Sequence, residues 1–164
     1  MYAAGLYYCK VQLQSGDKKS QAISAIVDMG STFTILNTQA VRALGITDTS
    51  PLLRETNQVV SGVAMPGAGY IPVKVREIDA RIRIGGMTGK GGIDMGTHSC
   101  AVADLAAFTQ LGLAGEPGMI LGLDVLAGHP RTHTASAAAR GGRGGGKLVL
   151  SVAGRRLWLC PSLS

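Results

Sequence analysis

Twice along the chain a run of three apolar residues stops abruptly on small or polar ones. Ala25-Ile26-Val27 runs into Asp28-Met29-Gly30-Ser31-Thr32, and Met119-Ile120-Leu121 runs into Gly122, which lies 94 residues after Asp28. A continuous apolar run bounded by turn residues marks a strand buried on both faces. Asp28 therefore sits at the end of an interior strand, and its carboxylate is expected to be delivered to the interior.

The segments around these runs read mostly as strands. Tyr7 to Gln14 alternates, with Cys9, Val11 and Leu13 on one side and Lys10, Gln12 and Gln14 on the other. Ser15-Gly16-Asp17 turns the chain into a second strand, Gln21 to Val27. Phe33 to Leu36 is a short strand, after which Asn37 or Thr38 caps a helix that runs through Leu44 and ends at Gly45. Gln58 to Gly69 is apolar but studded with glycines and Pro66, as in a mobile hairpin.

Ile71, Val73 and Val75 share one parity, whereas Ile78, Ala80, Ile82 and Ile84 have the other, so a bulge or bend is expected near Glu77. Cys100 to Ala103 is a further short strand, and Asp104 is expected to cap a helix carrying Leu105, Phe108 and Leu111. Leu123 to Leu126 makes a short helical turn. The final hairpin pairs Lys147 to Val152 with Arg155 to Leu159.

At 164 residues, 46% of them apolar and 16% charged, the chain reads as one globular domain covering 1–164. A flexible Gly/Arg-rich insertion is expected at 130–146, where too few apolar residues occur to order the segment. The 24 glycines suit a β-rich chain with many tight turns. Cys9, Cys100 and Cys160 cannot all pair within one chain and do not have zinc spacing, which points to a reduced, intracellular protein.

Met1 to Leu6 lacks the basic lead and apolar core of a signal peptide, and no apolar run approaches the roughly 18 residues of a membrane span. The net charge of +6 invites a nucleic-acid reading. Much of it, however, lies in the Arg76 to Arg83 region, where alternation makes it the wet face of a sheet, or after position 130.

A lone Asp-x-Gly marks ordinary turns in many proteins. Here an apolar strand precedes it, Ser31-Thr32 and another strand follow it, and the Met119-Ile120-Leu121-Gly122 segment comes later in the required order. With these motifs the chain resembles the retropepsin-like family of single-lobe aspartic proteases. That resemblance implies an all-β, closed β-barrel of the acid protease fold with one or two short helices. It implies that Asp28 is the catalytic carboxylate and that Met29, Gly30, Ser31, Ile120, Leu121 and Gly122 form the active-site loop. It also places a substrate-gripping flap at Val60-Ser61-Gly62 onward, with Gly62, Val63, Ala64 and Met65 touching a polypeptide substrate.

Uncatalysed by a covalent nucleophile, peptide hydrolysis needs one carboxylate to activate water and one carboxylic acid to polarise the carbonyl. Two facing groups that share a proton do both. One chain of this length supplies one such Asp, so the resemblance implies a homodimer with an Asp28 from each subunit. Ser31 is placed to hold the carboxylate by a hydrogen bond.

One departure matters: Met29 stands where the family has Thr or Ser, and a thioether neither donates nor accepts well. This opens a second reading, a catalytically impaired dimerisation or peptide-binding module. A third, an RNA-binding β-domain, draws on Arg140-Gly141-Gly142-Arg143-Gly144.

Asp94-Met95-Gly96-Thr97 copies the motif without an apolar strand before it and reads as a turn between strands. Asp124 reads as a helix cap or a partner for an arginine. His98, His129 and His133 are scattered among turn residues and read as surface side chains. Neither metal nor nucleotide cofactor is implied.

Overall fold

A computed structural model describes residues 7–61, 72–85, 92–127, 147–151 and 156–160, for the last two segments as backbone. The strands are β1 (Tyr7–Ser15), β2 (Lys18–Lys19), β3 (Ile23–Val27), β4 (Ile35–Leu36), β5 (Leu53–Ser61), β6 (Pro72–Ile84), β7 (Ile93–Val102) and β8 (Gly118–Leu121). The expected terminal hairpin is present as β9 (Lys147–Ser151) paired antiparallel with β10 (Arg156–Cys160). Short helices are α1 (Thr38–Ala43), α2 (Ala106–Gln110) and α3 (Leu123–Leu126), so the described residues hold three where one or two were expected.

The first eight strands form one sheet in the order β2-β1-β3-β8-β4-β7-β6-β5, and a further pairing of β1 with β6 closes six of them into a barrel. The barrel is mixed: β3 and β8 are parallel, as are β4 and β7, whereas β1/β3, β4/β8, β6/β7 and β1/β6 are antiparallel. Among the described residues, closure leaves β2 and β5 as the edge strands of this sheet, which limits the unpaired backbone that it must protect.

Two apolar clusters explain the sequence pattern. The larger takes residues from all six barrel strands, among them Val11, Ala25, Val27, Leu36, Ile82, Cys100, Met119 and Leu121, and fills the interior. The smaller lies on the other face of part of the sheet, where Ile26, Ile35, Ala101 and Ile120 pack with Ala107 and Phe108 of α2. Residues 25–27 and 119–121 are thus buried alternately into one cluster and the other, which is why their runs are continuous.

The same two clusters correct the expectation of a bulge near Glu77. β6 runs unbroken, with Val75 in the outer cluster and Ile78, Ala80, Ile82 and Ile84 in the interior. Regular alternation gives odd positions one face and even positions the other. The change of apolar parity records a change in which face is covered, not an inserted residue. The irregularity sits instead on the neighbouring strand, between Glu55 and Val59 of β5, where the Thr56 hydroxyl donates to the Val75 carbonyl at 2.6 Å.

Cap assignments are resolved individually. Asn37 is the N-cap of α1, its Oδ1 accepting from the Ala40 N–H at 2.9 Å, and Gly45 ends the helix at φ 72°. Asp104 does not cap α2, whose N-cap is Leu105 without a side-chain bond. Its carboxylate instead accepts from the backbone N–H and hydroxyl of Thr38, at 2.8 and 2.6 Å, at the start of α1. A helix start brought near by tertiary packing has taken the acid that the sequence offered to the local one.

Asp94 is also placed differently from the turn expected. It lies within β7, at a bulge opposite Ile82 and Arg83 where Gly96 takes φ 82°. The Arg81 Nε donates to its Oδ2 at 2.9 Å, and this bond is the main reason the Asp94 carboxyl is held below its usual range. A depressed folded-state pKa adds stability above the ordinary aspartate range, near ~4, that is lost as pH falls through the folded value. The Arg81→Gln variant should therefore have a lower urea midpoint than the parent at pH 7, with the gap narrowing as pH falls below the ordinary aspartate range. A gap that does not narrow would show that the arginine acts through packing alone.

Candidate active site

Asp28 follows β3 directly, and its position is fixed by the strand that lies beside it. β3 and β8 run parallel with Val27 opposite Leu121, and the ladder extends one step further, the Asp28 N–H donating to the Leu121 carbonyl at 3.0 Å. β8 also pairs antiparallel with β4, Ile35 opposite Ile120. The strand that ends at Gly122 is therefore flanked by the two strands that the 28–34 loop connects.

Loop and strand end are then stitched together. The Leu123 N–H donates to the Ser31 carbonyl at 2.9 Å, and the Asp124 N–H donates to the Thr32 carbonyl at 3.3 Å. Gly122 is required by the closeness of this crossing: a Cβ there would lie 2.5 Å from both the carbonyl carbon and the oxygen of Phe33. Leu121 is thus joined to Asp28 through the backbone, while Ile120 lies opposite Ile26 and Gly122 crosses against Phe33.

Asp28 is half-buried, not interior as expected, and is followed by the exposed turn residues Met29 and Gly30. The Asp28 Oδ1 accepts from the Gly30 N–H at 2.8 Å, and a Cβ on Gly30 would press to 3.2 Å from that oxygen. The role expected for Ser31 is not realised. Its hydroxyl donates to the Phe33 carbonyl at 2.7 Å, which stiffens the loop rather than the carboxylate. Gly62, Val63, Ala64 and Met65, the expected substrate contacts, lie outside the described residues; the strands that bracket them, β5 and β6, are paired up to Ser61 and Pro72.

Two large apolar side chains near this loop are exposed, Met29 next to Asp28 in sequence at 50% and Leu123, whose N–H bonds the Ser31 carbonyl, at 36%. Solvent-facing apolar groups near the loop of a half-buried acid leave this part of the barrel suited to a covering surface. A cleft of about 530 Å³ lies elsewhere, at the other end of β3, between Lys10, Ser24, Leu113 and Glu116.

Sequence reasoning missed the pair that ties the loop to α3. Asp124 is buried, and its carboxylate accepts from the Thr34 N–H at 3.0 Å, the Thr34 hydroxyl at 2.6 Å and the Val125 N–H at 2.9 Å. The Thr34 hydroxyl in turn accepts from the Gly122 N–H at 3.0 Å. A polar Thr34 placed just before Ile35-Leu36 was the available signal, since a buried hydroxyl must find a partner.

Asp94 offers an internal comparison. Its Oδ1 accepts from the Gly96 N–H at 2.9 Å, the same local bond as in the Asp28 turn, yet its other oxygen is engaged by Arg81. Asp28 Oδ2 has no such cation among the described residues.

Among the described residues no helix is long and apolar enough to cross a membrane. No protein-family model and no curated protein matches the sequence, so the site is read from its own geometry. The Gly122→Ala variant should lose about 1–3 kcal/mol of unfolding free energy or more, because the clash is with backbone that has no rotamer to yield. Urea denaturation measures this, and parent-like stability would refute the close crossing.

Proposed function

We propose that the chain is a retropepsin-like aspartic endopeptidase, active as a homodimer to which each subunit contributes Asp28. The observation that carries this reading is the half-buried Asp28, held in an Asp-x-Gly turn that bonds the end of β8 beside the Gly122 crossing of a closed barrel. A carboxylate with one oxygen fixed by a backbone N–H and the other without a cation among the described residues is oriented for work on a water molecule.

In this mechanism Asp28 of one subunit, ionised, removes a proton from water while the partner's Asp28, protonated, donates to the substrate carbonyl. Neither residue forms a covalent bond with the substrate. Water adds to the carbonyl carbon, and collapse of the resulting diol releases the amine as the proton returns to it. Met29 and Leu123, exposed near the Asp28 loop, supply apolar surface for the second subunit to cover.

A second reading, a dimerisation or peptide-binding module without catalysis, rests on the Met29 side chain. A thioether beside the carboxylate cannot make the hydroxyl bond that would tie two such turns together. The RNA-binding reading finds less support on the barrel itself. All 10 acidic residues precede residue 128, together with 10 of the 16 basic ones, so the excess positive charge falls entirely in 128–164.

The test is to offer an unfolded polypeptide to purified protein from pH 3 to 7, at concentrations where sedimentation shows a dimer. The parent should cleave it, and Asp28→Asn should lose roughly a thousandfold or more in kcat/KM. Met29→Thr should raise kcat/KM by tightening the turn. Cleavage that survives in Asp28→Asn rules the proposal out, and a silent parent that becomes active as Met29→Thr establishes the impaired module instead.

A further inference from the structure

We infer that the buried Thr34–Asp124 pair is a positioning device for the Asp28 turn, and that Asp124 acts on turnover without touching substrate. The part of this concerning turnover rests on the reading of Asp28 given above; the part concerning order in the turn does not.

The geometry is that of a clamp with two jaws. Thr34 closes the loop that begins at Asp28, and Asp124 opens α3 just after Gly122, so the two lie on opposite sides of the crossing. Both donors of Thr34, its N–H and its hydroxyl, end on one carboxylate, at 3.0 and 2.6 Å. The hydroxyl oxygen then receives the Gly122 N–H at 3.0 Å, so a single side chain fixes both the strand end and the helix start. Charge-assisted bonds of this kind are short and strong, and burial keeps water from competing for them.

The carboxylate is better suited to this place than its amide. It receives three donors, two from Thr34 and one from the Val125 N–H, and an amide has one acceptor atom and brings two donors of its own. Replacement by Asn therefore sets an N–H₂ against a donor that has nowhere else to turn. The Ser31 hydroxyl does not duplicate the function, since it is spent on the Phe33 carbonyl.

Within the loop the Gly30 N–H bonds the Asp28 carboxylate, the Ser31 N–H the Asp28 carbonyl and the Ser31 hydroxyl the Phe33 carbonyl, and none of these three bonds reaches Thr34. The loop's remaining links to the strand end are the backbone bonds Asp28 to Leu121, Leu123 to Ser31 and Asp124 to Thr32. These bonds share the same short stretch of chain, so loosening Thr34 lets the register of all three drift. Catalytic carboxylates tolerate little such drift.

The experiment compares Thr34→Val, Thr34→Ser and Asp124→Asn with the parent in two measurements. In amide hydrogen exchange, Thr34→Val and Asp124→Asn should speed exchange at the Asp28 and Leu123 amides about tenfold or more, while the Leu13 amide in β1 keeps its parent rate. In peptide cleavage, the same variants should lose about tenfold or more in kcat with KM within about twofold of the parent. Thr34→Ser, which keeps both donors, should restore parent behaviour in each.

Equal acceleration at Leu13 would make the pair a support of the whole fold and overturn the inference, as would unchanged exchange at Asp28 and Leu123. A parent without cleavage activity would count against the reading of Asp28 and leave the exchange measurement to decide this one. If the valine variant does not fold, Asp124→Asn with the serine control gives the same decision.

Discussion

Everything at the Asp28 end depends on the threading of β8 between the two strands that the Asp28 loop joins. A strand placed there must be apolar on both faces, must run parallel to one neighbour and antiparallel to the other, and must leave beneath the loop without room for a side chain. Ile120 and Leu121 satisfy the first condition, the β3 and β4 pairings the second, and Gly122 the third. Remove any of them and Asp28 loses the surface against which its turn is built. The barrel and the site are therefore one construction, with closure of the sheet through β1 and β6 holding the crossing from outside.

Burying this crossing requires that polar groups be satisfied within it. Backbone donors of residues 28, 123 and 124 find carbonyls across the crossing, and the Gly122 donor, which has no carbonyl in reach of the ladder, finds the Thr34 hydroxyl. Asn37 does similar work one strand further on, accepting from the N–H groups of Ala40 and Gly118 and donating to the Glu116 carbonyl at 2.7 Å. An unmet buried donor costs on the order of 1–3 kcal/mol, so these few side chains decide whether the interior face of the site is stable.

The fold was legible where burial writes directly into sequence. The runs at residues 25–27 and 119–121, the alternation of Tyr7–Ser15 and the capped helix after Asn37 all follow from one rule, that apolar period matches exposure. Legibility failed where a residue's partner comes from elsewhere in the chain. The first half of β5 carries Arg54, Glu55, Thr56 and Asn57 and so gives no apolar period, yet the register with β6 makes it a strand. The shift of parity along β6 was read as a bulge because one buried face was assumed, whereas α2 covers the second. Asp104 was offered to the nearest helix and taken by a distant one. The pairing of the two apolar runs that end at Asp28 and Gly122 was legible from their composition, but the Thr34–Asp124 contact spans 90 residues and leaves no local pattern.

Comparison of the two Asp-Met-Gly tripeptides shows what in such a motif is local and what is not. Both aspartates fold back onto the N–H of the glycine two residues on, at 2.8 and 2.9 Å, so this bond is a property of the tripeptide itself. Chemistry is decided by what each turn stands against. Asp94 faces a cation on the next strand, which neutralises it and fixes it on the wet side of the barrel. Asp28 stands at the end of a strand buried on both faces, beside a crossing that admits no side chain, with apolar groups exposed near its loop. A carboxylate so placed has the order of a buried group and the access of a surface one. That combination, and not the tripeptide, is what peptide hydrolysis by paired carboxylates would require of each subunit.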